Sequence, residues 1–538
     1  MIKRTALFVL TIALAVLNAN GQKKLKAYMV ADAHFDTQWN WDVQTSIREY
    51  VPKTMKQNLY LLRTYPDYIF NFEGAIKYWW MKEYYPEEYE KVKKYIANGR
   101  WHLTGSSWDA CETIVCSPES WLRNILLGQT YYRQEFGKEC NDVFLPDCFG
   151  FPYTMPTLMN HCGLIGFSSQ KLQWRNNAFY DGGRKYPFTI GLWKGIDGSE
   201  VMMTHGFNYT GKFNDEDISS NTELQEQAAM SPLNTVYRYY GTGDRGGSPN
   251  IQSVRALEKG IKGNGPVQII STTSDQLYKD LQPWSSHKDL PKVEGEMTMD
   301  VHGTGCYTSE AAMKLYNRQN EHLGDAAERA SVAAECLCAF QYPKNEMIDN
   351  WRRIIWHQFH DDLTGTSIPR AYEFSWNDEL LSLSRFSQVL TNAVSSVAGK
   401  MNTEVSGLPI VLYNNEGFAV NGVADITLAN MTGNYTVADQ KGKTVASQVV
   451  TDSKGKTHLL VNAHVPSTGF AVYNVKAKGK AESTKKNKAK TVENSVYKVT
   501  VNDEGNISSI IDKRNNKELV QQGKAMGLVV FEDRKSVV

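Results

Sequence analysis

The chain has 538 residues, 41% of them hydrophobic and 22% charged, with a formal net charge of +1. At ~100–200 residues per domain this leaves room for about three domains with sizeable cores. The near-neutral balance gives no sign of partners held by bulk charge, such as nucleic acid or an anionic membrane surface. The 13 Trp and 28 Tyr suit either aromatic platforms for sugar rings or dense core packing.

At the N-terminus, Lys3 and Arg4 precede the apolar run "ALFVLTIALAVL", and the small residues of "ANG" close it before Gln22. This predicts a secretory signal peptide over residues 1–21, too short for a comfortable membrane span. Export across the inner membrane to the periplasm is the expectation. No Cys follows the cut to carry a lipid anchor, and no other stretch is apolar enough to cross a bilayer. Eight cysteines permit disulfides without demanding them. Cys111 and Cys116 could bridge a loop, whereas Cys336 and Cys338, two apart in a helical stretch, point apart. With no CxxC pair a thiolate zinc site is not expected, and most of these cysteines read as small buried hydrophobes.

From residue 24 to about 290, short β-rich runs alternate with helical stretches. "KAYMVADAH", "YIFNFEG", "RWHLTGSSW", "NDVFLPD", "LIGFSSQK", "TIGLWKG", "EVMMTHGF" and "VQIISTT" read as strands. "PEEYEKVKKYIANG" reads as a helix, acidic early, basic late, with Gly near its stop. Such βαβ alternation implies an α/β domain over 24–290, a parallel sheet or barrel with helices outside. Residues 291–403 turn helical. "TSEAAMKLYNRQNEHLGDAAERASVAAECLCAF" opens with a Ser/Thr cap and a Glu and keeps a 3.6-residue period. With "MIDNWRRIIWHQFH" and "YEFSWNDELLSLSRFSQVLTNAVSSVAGKM" it predicts a three-helix bundle. A small β domain follows over 406–475, then the lysine-rich linker or hairpin tip "KAKGKAESTKKNKAK". A β-sandwich starts at 493, and the chain is read as ending inside it, truncated at Val538.

His34 and Asp36 sit two apart at the end of the first strand, so both side chains face one way. Chemistry in parallel α/β folds gathers at the C-terminal ends of strands. The strand "DVFLPD" delivers Asp147 at its own end, before "CFGFPYTMP". The segment "WHQFHDDLTGTS" offers His357, His360, Asp361 and Asp362 at a helix end. Together these segments can supply two imidazoles and two carboxylates, a set that suits a zinc-type ion with one position open. Each piece alone has a plainer reading. An HxD pair can be a structural hydrogen bond, an LPD triplet a turn, and a His-rich helix end a complement to the helix dipole.

Order and surroundings tip the balance. The chain resembles the glycoside hydrolase family 38 α-mannosidases over residues ~26–538. "AHFDTQWNWD" is similar to that family's first metal motif, "FLPDCFGFPYTMP" to its nucleophile motif and "QFHDDLTGTSI" to its second metal motif. "GLWKGIDGSEVMMTH" and "CYTSEAAMKLYNRQNEHL" match in the same order. The resemblance implies a barrel-like catalytic domain, a helical bundle and C-terminal β domains. It implies one zinc ion per chain held by His34, Asp36, Asp147 and His360, the last because the family's ligand directly precedes an Asp; His357 becomes a packing residue. Asp147 would also be the nucleophile, Asp244 in "GTGDRGGSPN" the acid/base, and Trp39, Trp108 and Asp361 would contact substrate. In "SSWDACETIVCSPES" the acids after Trp108 (Asp109, Glu112) are spaced differently from better-known members, which leaves linkage preference open. The expected activity is retaining exo-hydrolysis of terminal α-linked mannose on an oligosaccharide or glycoprotein glycan, through a mannosyl-aspartate. The rivals are a metal-dependent polysaccharide deacetylase and a truncated remnant that binds mannosides without turnover.

Overall fold

The computed structural model describes residues 24–173, 188–205, 208–428, 433–478 and 490–528. The signal-peptide reading over 1–21 and the last ten residues fall outside them. In chain order the strands that build the two larger sheets of the first unit, Met1–Met401, are β1 (Leu25–Ala33), β2 (Phe70–Glu73), β3 (Trp101–Thr104), β4 (Asp142–Phe144), β5 (Gly166–Ser169), β6 (Ile190–Lys194), β7 (Glu200–His205), β8 (Thr235–Thr242), β9 (Val267–Ser271) and β10 (Lys292–Glu294).

β1 is the axis of the first sheet. Its burial is continuous from Ala27 onward, as expected of a parallel strand covered on both faces. Along one edge it pairs with β8 from Lys26 to Ala33. Its other edge is divided: Leu25–Met29 pair with β9, whereas Ala31 and Asp32 pair with Phe70 and Asn71 of β2. β3 then adds to β2, and every pairing is parallel. The divided edge brings the C-terminal ends of β1, β2 and β8 side by side. Beneath them Trp101 meets Phe70 edge-on at 4.8 Å in a fully buried aromatic core.

The second sheet runs β10-β6-β7-β5-β4. It is parallel except between β6 and β7, which form an antiparallel pair. The expected parallel sheet is there, but no continuous ladder closes a barrel among the described strands. β3 and β4 meet through side chains instead: Thr104 Oγ1 donates to Asp142 Oδ2 at 3.1 Å, and Ser106 Oγ to the Asp142 carbonyl at 2.8 Å.

The helical stretch folds as Ala311–Cys338, Lys344–His357 and Pro369–Ala398. The expected Ser/Thr cap is not used. Thr308 and Ser309 finish a separate helix, Asp300–Thr308, and the Ser309 hydroxyl donates back to the Gly305 carbonyl. Glu310 then takes a left-handed conformation (φ 46°), and the long helix begins at Ala311 without a side-chain cap. The hydroxyl has gone to the end of one helix rather than the start of the next.

The second unit, Asn402–Val538, is β-structure throughout. Leu408–Asn414 pairs antiparallel with Gly469–Ala477, and Val420–Ile426 with Thr457–Val465, around a core that includes Val437, Leu459 and Val461. A four-stranded antiparallel sheet runs from Thr491 to Glu518. All eight cysteines are free, and the possible Cys111–Cys116 bridge is not formed; both thiols are buried. Among the described residues no helix is long and apolar enough to cross a membrane.

Candidate active site

Past Ala33 the chain keeps pairing with the segment after β8. His34 N–H donates to the Thr242 carbonyl at 3.0 Å and Asp36 N–H to the Asp244 carbonyl at 2.8 Å. This lacing sets His34 and Asp36 on one side and carries Asp244 in beside them. Asp147 follows β4, where Leu145 N–H is tied to the Ser168 carbonyl at 3.0 Å. His360 follows the helix ending at His357. Its backbone N–H and its Nδ1 both donate to the Ala110 carbonyl, at 3.1 and 3.2 Å, so Nε2 is the free face of the ring.

These three segments converge. One ligand atom each from His34, Asp36, Asp147 and His360 lies within 4.8 Å of all the others. Asp36 Oδ1 is 2.9 Å from His34 Nε2 and 3.2 Å from His360 Nε2, and Asp147 Oδ2 is 4.0 and 3.7 Å from the same nitrogens. Although close, His34 Nε2, Asp36 Oδ1 and His360 Nε2 are buried without a well-oriented hydrogen bond. Orphaned buried donors and acceptors are costly. Two imidazole nitrogens and two carboxylate oxygens aimed at one point fit a tetrahedral, zinc-like ion. Burial disfavours charge on His34, yet the Asp36 and Glu73 carboxylates push its pKa up to about 10. A proton there and a cation therefore compete for the same lone pair.

The carboxylates around the cluster differ in environment. Asp147 divides its oxygens: Oδ2 faces the histidines, while Oδ1 is 2.7 Å from Lys171 Nζ and 3.4 Å from Gln170 Nε2. Burial would raise its pKa, but the Lys171 charge and the two histidines hold it well below the usual carboxylate range. Asp244 is half-buried in the left-handed region (φ 62°) and accepts from Tyr209 Oη at 3.2 Å. Burial first, then the charge of Asp36, lifts Asp244 above the ordinary value. Asp361 is buried, with Oδ2 3.6 Å from His360 Nε2, and burial pushes it up to about 7.

Trp39 is half-buried in the loop after Asp36, with its ring edge-on to Trp41 at 6.0 Å. Trp108 is not brought to the cluster. Its ring is buried against Trp79 and Tyr131, at 5.5 and 6.0 Å, with the Arg352 guanidinium over it at 5.4 Å. Its neighbour Asp109 turns the other way, accepting from Thr37 Oγ1 at 2.9 Å. His357 also stays outside, bonded to Asp362 at 2.9 Å and Asp378 at 3.2 Å. Three residues that the sequence reading missed stand at the site: Lys171, Tyr209, whose ring lies 5.0 Å from that of His34, and Glu73 on His34 Nδ1. Lys171 and Glu73 share the signal that exposed His34, a charged residue just past or at the end of an apolar strand. Tyr209 carries no such mark.

Comparison with known proteins gives the family. Residues 24–296 match the glycosyl hydrolases family 38 N-terminal domain, and residues 302–396 the alpha mannosidase middle domain. The chain belongs to glycosyl hydrolase family 38. It is 27% identical to alpha-mannosidase G of Dictyostelium discoideum over 561 residues, 96% of this chain and 49% of that protein. It is 29% identical to an alpha-mannosidase of Saccharomyces cerevisiae over 360 residues, 64% of this chain and 32% of the relative. The chain thus spans about half or less of these relatives' lengths. Its fold is that of an alpha-mannosidase structure from Enterococcus faecalis V583, with TM-score 0.75 at 17% identity over 92% of this chain and 61% of that one.

Proposed function

We propose that this protein is a zinc-dependent, retaining exo-α-mannosidase, exported to the periplasm, that removes terminal α-linked mannose from oligosaccharide or glycoprotein glycans. The observation that supports it most is the convergence of His34, Asp36, Asp147 and His360 in a family 38 chain. These four residues would hold one zinc ion. The chemistry that ion would supply is Lewis-acid polarisation of sugar hydroxyls, favouring ring distortion.

The remaining work falls to the side chains. Asp147, kept ionised by Lys171, attacks the anomeric carbon as the bond to the leaving oxygen breaks. Asp244, whose raised pKa suits a proton donor, gives its proton to that oxygen. Water then attacks the mannosyl-aspartate while Asp244 takes the water's proton, which regenerates Asp147 and retains the anomeric configuration. Asp361 and Trp39 would contact the sugar.

The test is hydrolysis of an aryl α-mannoside before and after treatment with a chelator. The expected result is release of α-mannose as first anomer, lost on chelation and restored by zinc. β-Mannose as first product, or turnover indifferent to chelation, contradicts the reading. Acetate released from an acetylated polysaccharide, with no mannose from mannosides, would favour the deacetylase alternative instead.

A further inference from the structure

Behind His34 lies a run of buried charge that the reaction above does not use. The ring of His34 turns Nε2 to the cluster and Nδ1 to Glu73, whose Oε1 is 3.1 Å away. Lys77 Nζ donates to the same Oε1 at 3.1 Å and lies 3.5 Å from Asp109 Oδ1. Asp109 accepts from Thr37 Oγ1 at 2.9 Å and from Ala110 N–H at 2.9 Å. The Ala110 carbonyl in turn holds Nδ1 of His360. One arc therefore joins the outer nitrogens of both histidines. Glu73, Lys77, Asp109 and Thr37 are all at most 1% exposed.

The backbone is shaped to make this arc. Glu73 is the last residue of β2, and Lys77 lies in the first turn of the helix Ala75–Tyr84. Gly74 between them has φ +86°, and a Cβ there would sit 3.2 Å from both Asp109 Oδ1 and Lys77 Nζ. Only glycine makes this turn without strain. Burying three charges is expensive, and a hydrophobic filling would serve packing as well or better.

We propose that Glu73, clamped by Lys77, is the positioning residue of the metal centre: it holds the Nδ1 proton of His34, fixes the ring's tautomer and angle, and sets the zinc affinity. The inference rests on the metal-centre reading given above. A carboxylate behind a ligating imidazole makes it a stronger donor. His360 is backed only by a neutral carbonyl, so the two histidines are unequal ligands, with His34 the stronger. The arc's net negative charge, two carboxylates against one ammonium, adds to the attraction for a cation.

The experiment measures zinc dissociation constants by competition with a chromophoric chelator, on the wild type, Glu73→Gln and Glu73→Asp. Glu73→Gln keeps an acceptor for Nδ1–H and leaves Lys77 paired with Asp109. It is expected to weaken zinc binding roughly 10–100-fold, with kcat recovering at saturating zinc. Glu73→Asp keeps the charge but retracts it, and should lose less. In the cobalt-substituted protein the d–d bands should shift in Glu73→Gln, which a residue serving only the fold would not cause. Zinc constants within twofold of wild type in the variants overturn the inference, even if the thermal midpoint falls. A wild type that binds no zinc overturns instead the metal-centre reading on which it stands.

Discussion

At the residue scale, the site separates carboxylates by what faces them. Asp147 has an ammonium on one oxygen and Asp244 a phenol and a neighbouring anion, so their affinities for protons are driven apart. Asp147→Asn keeps shape and one donor oxygen but cannot attack, so kcat should fall by about three orders of magnitude or more. Substrate affinity should fall far less, and near wild-type turnover would remove Asp147 from its role. Lys171→Gln takes away the charge that holds Asp147 ionised. The Asp147 pKa then rises, so the acid limb of kcat/KM should move toward higher pH. An unmoved acid limb would show that Lys171 serves packing alone. His34 and Asp36 were legible because polar residues at a strand end stand out against an apolar run. Side-chain direction was not legible in the same way: Trp108 and Asp109 are adjacent, yet one faces an aromatic cluster and the other Lys77.

At the element scale, long periodic helices were readable and their junctions were not. The apolar spacing of Ala311–Cys338 was plain in the sequence, but the Ser309 hydroxyl had two helix ends to choose between. Burial in the bundle leaves Glu379, on Pro369–Ala398, with its pKa pushed up to about 8, although His357 and the Asn320 amide oppose the shift. The folded state therefore keeps this proton at pH values where the unfolded chain, near 4.5, has released it. Stability from Glu379 is complete below about pH 4.5 and is lost as pH rises toward 8, by an amount on the order of 5 kcal/mol. Glu379→Gln should flatten that decline, read as the urea midpoint at pH 5 and pH 8. Parallel pH curves for wild type and variant would mean that the carboxyl is ionised in the folded protein.

For the whole molecule, the alternation of strands and helices gave the α/β class and the later switch to β-structure. It could not give the two-sheet arrangement. Closure of a barrel needs ladders at both seams between the two sheets, and at the β3–β4 seam Asp142 takes side-chain hydrogen bonds from Thr104 and Ser106 instead. Because zinc would bind the folded first unit and not its unfolded chain, loading at a hundredfold excess over Kd should stabilise that unit by about 3 kcal/mol. Calorimetry with and without chelator checks this, and a first-unit transition that ignores chelation argues against the metal. The candidate ligands also come from chain segments more than three hundred residues apart. At about 5–20 residues per second, a ribosome needs on the order of 20–60 s to pass from Asp36 to His360. The centre therefore cannot seed the fold of a growing chain. A metal bound there would be a late clasp, and loss of a ligand should speed unfolding far more than it slows folding.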